Sequence, residues 1–177
     1  MVMRAHAVLG LVVMVAGAVA SLASVSCIDE THNEAVAALG PEVSGVSPGP
    51  QHRPGQPCLT CHGGSGPAKL QFSEGGTVYL DQGGGKPAPG ALVQIEDALG
   101  EVWTVQTNDA GNFFVALTDF APHYPTQMQV TSADGSVVLL MLTHAGRDGS
   151  CADCHTGAAG QTSPGPVYVN ATPRDGG

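Results

Sequence analysis

Residues 91–117 read ALVQIEDALGEVWTVQTNDAGNFFVAL. Ala91, Val93 and Ile95 alternate with other residues, and Ala98-Leu99-Gly100 then turns the chain. Val102, Thr104 and Gln106 next alternate with Trp103 and Val105, and Asn108-Asp109-Ala110-Gly111 is a strong turn signal before Asn112 to Leu117. Period-two alternation broken by Gly/Asn/Asp turns marks antiparallel strands that are buried on one face. The same pattern extends outward from this stretch. It predicts strands at 76–80, 91–96, 101–107, 112–117, 126–132 and 136–142, with a short seventh at Val167-Tyr168-Val169. The expected fold class is therefore all-β, an Ig/transthyretin-like β-sandwich of six or seven strands with no helix in its core.

The composition agrees. Gly 25 and Pro 13 together make about a fifth of the 177 residues, too many for a helical bundle. The formal net charge of −9 opposes binding to nucleic acid, whose phosphates it would repel. Arg4, the apolar run Ala5 to Ala20 and the small residues Ser21 to Ser26 describe a secretory signal over residues 1–26. Ser24-Val25-Ser26-Cys27 resembles a bacterial lipobox, although Ser24 stands where leucine is usual. The resemblance implies lipidation of Cys27, which parity supports, because the other four cysteines form two close pairs. Residues 27–57 read as a flexible tether, with a short helix expected within 28–39 and an extended Pro/Gly-rich stretch after it.

Gly76-Thr77-Val78-Tyr79, Pro89-Gly90-Ala91-Leu92-Val93 and Thr107-Asn108-Asp109-Ala110-Gly111-Asn112-Phe113 resemble the carboxypeptidase regulatory-like family. The resemblance implies a transthyretin-like sandwich over residues 74–143. Some related sandwiches bind sugars, but no aromatic platform is evident in this chain.

Two pentapeptides carry the chemistry. Cys58-Leu59-Thr60-Cys61-His62 and Cys151-Ala152-Asp153-Cys154-His155 are both C-x-x-C-H, the attachment signature of c-type haem. The two thiols add across the two haem vinyl groups, and the adjacent histidine coordinates iron. Composition alone gives a chance expectation of about 0.005 matches, so two are not accidental. A Cys₄ zinc site would leave both histidines unexplained, as would two local disulfides. The motifs resemble those of multihaem and dihaem c-type cytochromes. The resemblance implies two covalently attached haems, held by Cys58 and Cys61 in residues 58–73 and by Cys151 and Cys154 in residues 144–177. His62 and His155 would be the proximal ligands.

The sixth ligands must come from His32, His52, His123 and His144, or from Met128 and Met141. His52 precedes Cys58 by six residues and His144 precedes Cys151 by seven, and this shared offset favours those two. His123 is the third choice, His32 reads as a solvated tether residue, and both methionines read as strand residues. Strands alternating in direction would gather both motifs, His123 and His144 at one end of the sandwich.

The resulting expectation is an exported, lipid-anchored dihaem cytochrome that carries single electrons in the bacterial cell envelope. Its acidic surface would suit a redox protein partner with a basic docking face. No catalytic residue set is evident. The rival expectations are a sugar- or peptide-binding sensor module with regulatory haem, and a structural zinc or disulfide protein.

Overall fold

A computed structural model describes residues 29–42 and 49–169. The signal segment and Cys27 lie outside the described residues. By its contacts the chain forms two units, residues 1–31 and 32–177, and the account below concerns the second. Helix α1 spans Glu30–Ala38, where a helix was expected, and buries none of its residues. No helix among the described residues is long and apolar enough to cross a membrane.

The fold is an all-β sandwich of six strands in two antiparallel sheets. Strands β1 (Phe72–Thr77) and β4 (Asn112–Ala116) form a two-stranded ribbon. Strands β2 (Leu92–Glu96), β3 (Val102–Gln106), β5 (Gln127–Thr131) and β6 (Val138–Leu140) form the second sheet, in the order β3-β2-β5-β6. Val93 pairs with Val130 and Ile95 with Met128, so the alternating apolar residues meet as cross-strand pairs. With Phe113, Val115, Val78 and Phe120 they form the core. Trp103 and Val105 pack against it from β3, while Val102, Thr104 and Gln106 are exposed. The turn residues act as expected. Gly111 has φ 75°, and a β-carbon there would lie 2.3 Å from the Val78 carbonyl oxygen, so only glycine fits.

Strand β1 departs from expectation. It was expected over 76–80 and lies at Phe72–Thr77, where Ser73, Glu74, Gly75 and Gly76 carry little strand propensity. Every residue of β1 is buried, because the ribbon is covered on both faces. Beyond Thr77 the chain leaves β4, and Tyr79 makes single bridges to Pro87 and Tyr168. The expected seventh strand is that one bridge, closed by Tyr79 N–H to the Val167 carbonyl (2.9 Å) and Val169 N–H to the Tyr79 carbonyl (2.8 Å).

A pair of motifs on one strand

Each C-x-x-C-H motif folds as a single helical turn, α2 at Leu59–His62 and α3 at Cys151–Cys154. The hydrogen bonding repeats. His62 N–H donates to the Cys58 carbonyl (2.9 Å), and His155 N–H donates to the Cys151 carbonyl (2.8 Å). A turn of this kind puts the two cysteines, three residues apart, on one face. All four are free thiols.

The histidines repeat as well. His62 Nδ1 lies 2.8 Å from the Leu70 carbonyl oxygen, and His155 Nδ1 lies 2.7 Å from the Gly165 carbonyl oxygen. A carbonyl only accepts, so each Nδ1 carries a proton, and in the neutral ring Nε2 keeps its lone pair. This is the tautomer of a metal-ligating histidine fixed from behind. The returning loops are anchored alike. Ala68 N–H donates to the Cys61 carbonyl (2.9 Å), and Ser163 Oγ–H donates to the Cys154 carbonyl (3.1 Å). The Leu70 and Gly165 acceptors are backbone atoms, and no residue type announces them in the sequence.

The two motifs, which start at residues 58 and 151, meet at adjacent residues of β1. A β-carbon built on Gly75 would lie 3.1 Å from Cys58 Cβ and 3.4 Å from its Sγ. One built on Gly76 would lie 2.8 Å from both Cβ and Sγ of Cys151. Successive residues of a strand point to opposite faces, so Cys58 sits on one face of the ribbon and Cys151 on the other. Consecutive α-carbons are 3.8 Å apart, which bounds the two sulfurs to within about 13 Å of each other. Gly149 completes this seat, since its carbonyl accepts from Gly75 N–H at 2.8 Å. The glycine pair lets both turns approach one strand.

Burial pushes the Cys58 thiol up to about 11. The Cys151 thiol is also pushed up, first by burial and then by the charge of Glu74. Glu74 is itself fully buried, with Thr126 Oγ–H donating to its Oε1 (3.3 Å) and its Oε2 without a partner. Burial raises its carboxyl to about 7. Desolvation and the neighbouring Asp148 raise Asp153 to about 6.

The first motif opens onto a cavity of about 550 Å³, lined by Cys58, Cys61, His62 and His52 among others. That volume lies within the range of small-molecule and cofactor sites. His62 stacks on Phe72 (4.1 Å between centroids, 5° between planes), and Phe72 stacks on Phe114 (4.7 Å). The His52 ring stands 5.8 Å from that of His62, tilted by 47°. Two imidazoles on opposite sides of one metal, each nitrogen about 2 Å from it, have centroids about 6 Å apart. The 5.8 Å between the His52 and His62 rings matches that separation.

His52 is held there by the loop before Cys58. Its carbonyl accepts from Asn112 Nδ2–H (2.9 Å), and Thr77 Oγ1 accepts from Gly55 N–H (2.7 Å) while donating to Asn112 Oδ1 (2.7 Å). Residues 49–57, expected as tether, are thus bound to the ends of β1 and β4. Leu39 and Glu42 also line the cavity.

The other candidates are placed differently. His123 donates its backbone N–H to Asp97 Oδ2 (3.0 Å), and its ring Nδ1 lies 3.2 Å from the same oxygen. Those backbone N–H bonds, with those of Glu101 and Leu99, hold the Asp97 carboxyl down at about 2. This joins the β2–β3 turn to the β4–β5 loop, as alternating strands require. His144 is exposed beside Ala145, whose backbone pairs with Thr126. Neither His123 nor His144 lines the cavity of the first motif. The first motif is seated on Gly75 of β1, and Tyr124, next to His123, donates its hydroxyl to the Ser73 carbonyl of the same strand (3.1 Å). Met128 is buried in the core, and Met141 packs against it. His32 lies in α1. No group of three or more His, Cys, Asp or Glu among the described residues converges as a metal-ion cage.

Comparison with known proteins finds no matching family model, no matching curated protein and no matching solved structure.

Proposed function

We propose that this chain is a dihaem c-type cytochrome that passes single electrons within the bacterial cell envelope, anchored there by lipid on Cys27. The observation that carries the reading is the repeated histidine geometry. In both motifs the Nδ1 proton is given to a loop carbonyl, at 2.8 and 2.7 Å, which leaves Nε2 free beside two free thiols. A lone disulfide or redox thiol pair has no use for such a histidine.

Cys58 and Cys61 would hold one haem covalently with His62 as proximal ligand, and Cys151, Cys154 and His155 would hold the other. Haem supplies one-electron chemistry, with a potential set by its ligands and surroundings. The residues of the chain do the rest. The Leu70 and Gly165 carbonyls orient the two motif histidines, Phe72 stacks on His62, and His52 would be a further ligand at the first site. Gly75 and Gly76 bring the two attachment points close together, which suits transfer between them. The net charge of −9 suits a partner with a basic face. A second role, binding of a small exogenous ligand, is the alternative that the test below distinguishes.

The test is expression in a host that matures c-type haem, followed by intact mass and absorbance spectra in both oxidation states. Two covalent haems with low-spin bands are expected. One low-spin and one ligand-accessible haem would favour the second role. A colourless product from a competent host would overturn the reading.

A further inference from the structure

We propose that Glu42 is a positioning residue that holds the His52 ring across the cavity from His62, with Arg53 fixing Glu42 in place. The inference rests on the reading of the cavity as a haem site, and it adds to the site a residue from the segment expected to be tether.

Two buried polar atoms in the cavity wall have no hydrogen-bond partner, His52 Nδ1 and Glu42 Oε2. They belong to side chains that already face each other, with Glu42 Oε1 3.7 Å from His52 Nδ1. That distance is too long for a hydrogen bond, and a small rotation of either side chain closes it. Buried polar atoms left unpaired are costly, so this pair has reason to close.

Arg53 determines where Glu42 sits. Its Nε–H donates to Glu42 Oε1 at 3.2 Å. The same guanidinium donates to the carbonyls of Gly40 (2.8 Å) and Leu39 (3.4 Å) and to Gln56 Oε1 (2.7 Å). One side chain thus ties the end of α1 to the loop that carries His52. Arg53 also has φ 50°, the left-handed region, in which it is alone among the described non-glycine residues. Such backbone is strained and persists where the surroundings over-determine it, often at a ligand clamp.

The chemistry explains why an acid would stand there. An acceptor at Nδ1 puts the ring proton on that atom and leaves Nε2 for the cavity. His62 and His155 use neutral carbonyls for this purpose. A carboxylate does the same and adds a negative charge, which makes His52 a stronger donor and favours the oxidised metal. Glu42 therefore distinguishes the first site from the second, lowering its potential.

The test uses the full chain with its cofactors matured, as wild type, Glu42→Gln, Glu42→Asp and His52→Ala. Covalent haem is counted by mass, spin state is read from the absorbance and electron paramagnetic resonance spectra, and both midpoint potentials are titrated. Glu42→Gln should keep two low-spin haems and shift one redox equilibrium about tenfold towards reduction, 59 mV for a one-electron couple, leaving the other unmoved. Glu42→Asp should recover most of that shift, and His52→Ala should turn one haem high-spin. Both midpoints within threefold of wild type in Glu42→Gln would overturn the role of Glu42. Where that variant loads less haem, an equal loading loss in Glu42→Asp, which keeps the carboxylate, would do so. Two low-spin haems in His52→Ala would overturn the role of His52. Failure of the wild type to carry haem would overturn the underlying reading and not the geometry of the pair.

Discussion

Replacing Gly76 by alanine tests the seat on β1 directly. The added methyl would lie 2.8 Å from Cβ and Sγ of Cys151 and 3.1 Å from Cε1 of Phe113. The sulfur could turn away, but Cβ of Cys151 is fixed to the backbone, so α3 or the ribbon must move. Overpacking of this kind costs about 1–3 kcal/mol. Alanine recovers about 0.5–1 kcal/mol of backbone entropy relative to glycine in a strand. The net loss should therefore be about 1–2 kcal/mol, a fall in melting temperature of roughly 5 °C for a domain of this size. Gly75→Ala should cost less, because its closest contacts are 3.1 and 3.4 Å, and it should disturb Cys58 instead. Gly146→Ala is the control, with nothing within 4 Å of the added methyl. Thermal unfolding of the chain expressed without haem maturation gives the stabilities. Peptide mass analysis of the matured protein gives haem loading at each motif separately. Gly76→Ala should deplete haem chiefly at Cys151 and Cys154, and Gly75→Ala at Cys58 and Cys61. Equal stabilities for Gly76→Ala and Gly146→Ala, with unchanged loading, would show that the two motifs do not share β1.

Glu74 has a folded pKa of about 7, raised by burial from 4.5, so the folded haem-free chain binds the proton more tightly than the unfolded chain. Its contribution is fully present below pH 4.5 and is lost as pH rises through 7, by about 3 kcal/mol in all. Glu74→Gln should flatten that part of the stability profile in urea melts, and an unchanged slope would refute the assignment. Thr77→Val removes the hydroxyl that joins Gly55 to Asn112, at a cost of about 2 kcal/mol. It should free the His52 loop and give one haem high-spin character, so a wholly low-spin spectrum would count against the loop as support for His52. Ser163→Ala removes the hydroxyl that donates to the Cys154 carbonyl and accepts from Thr156 and Gly165 N–H. Proteolysis of the loop after His155 should become faster while the loop after His62 keeps its rate, and equal rates at both would argue against Ser163 as its anchor.

The sequence by itself determined the parts with a periodic or covalent signature. Alternation at Val93 and Ile95 marked β2, the Asn108–Gly111 turn marked the connection by which the chain passes from β3 in one sheet to β4 in the other, and the C-x-x-C-H pentapeptides stood out as a repeated pair. Each of these is local, because side-chain period and thiol spacing are set within a few residues. Strand β1 was partly hidden, since Ser73 to Gly76 lack propensity, and Gly75 and Gly76 leave room for the two cysteines that pack on them. The shared offset pointed to both His52 and His144; the His52 ring lies 5.8 Å from that of His62, with its loop held by Asn112 and Thr77 from distant strands, while His144 is exposed. Glu42 and Arg53 gave no signal in a segment that reads as tether. Tertiary structure alone decided that residues 58 and 151 meet on neighbouring glycines and that Leu70 and Gly165 accept from the two histidines. Those contacts are made by backbone atoms and by the absence of a β-carbon, neither of which leaves a chemical mark in the sequence that foretells its partner.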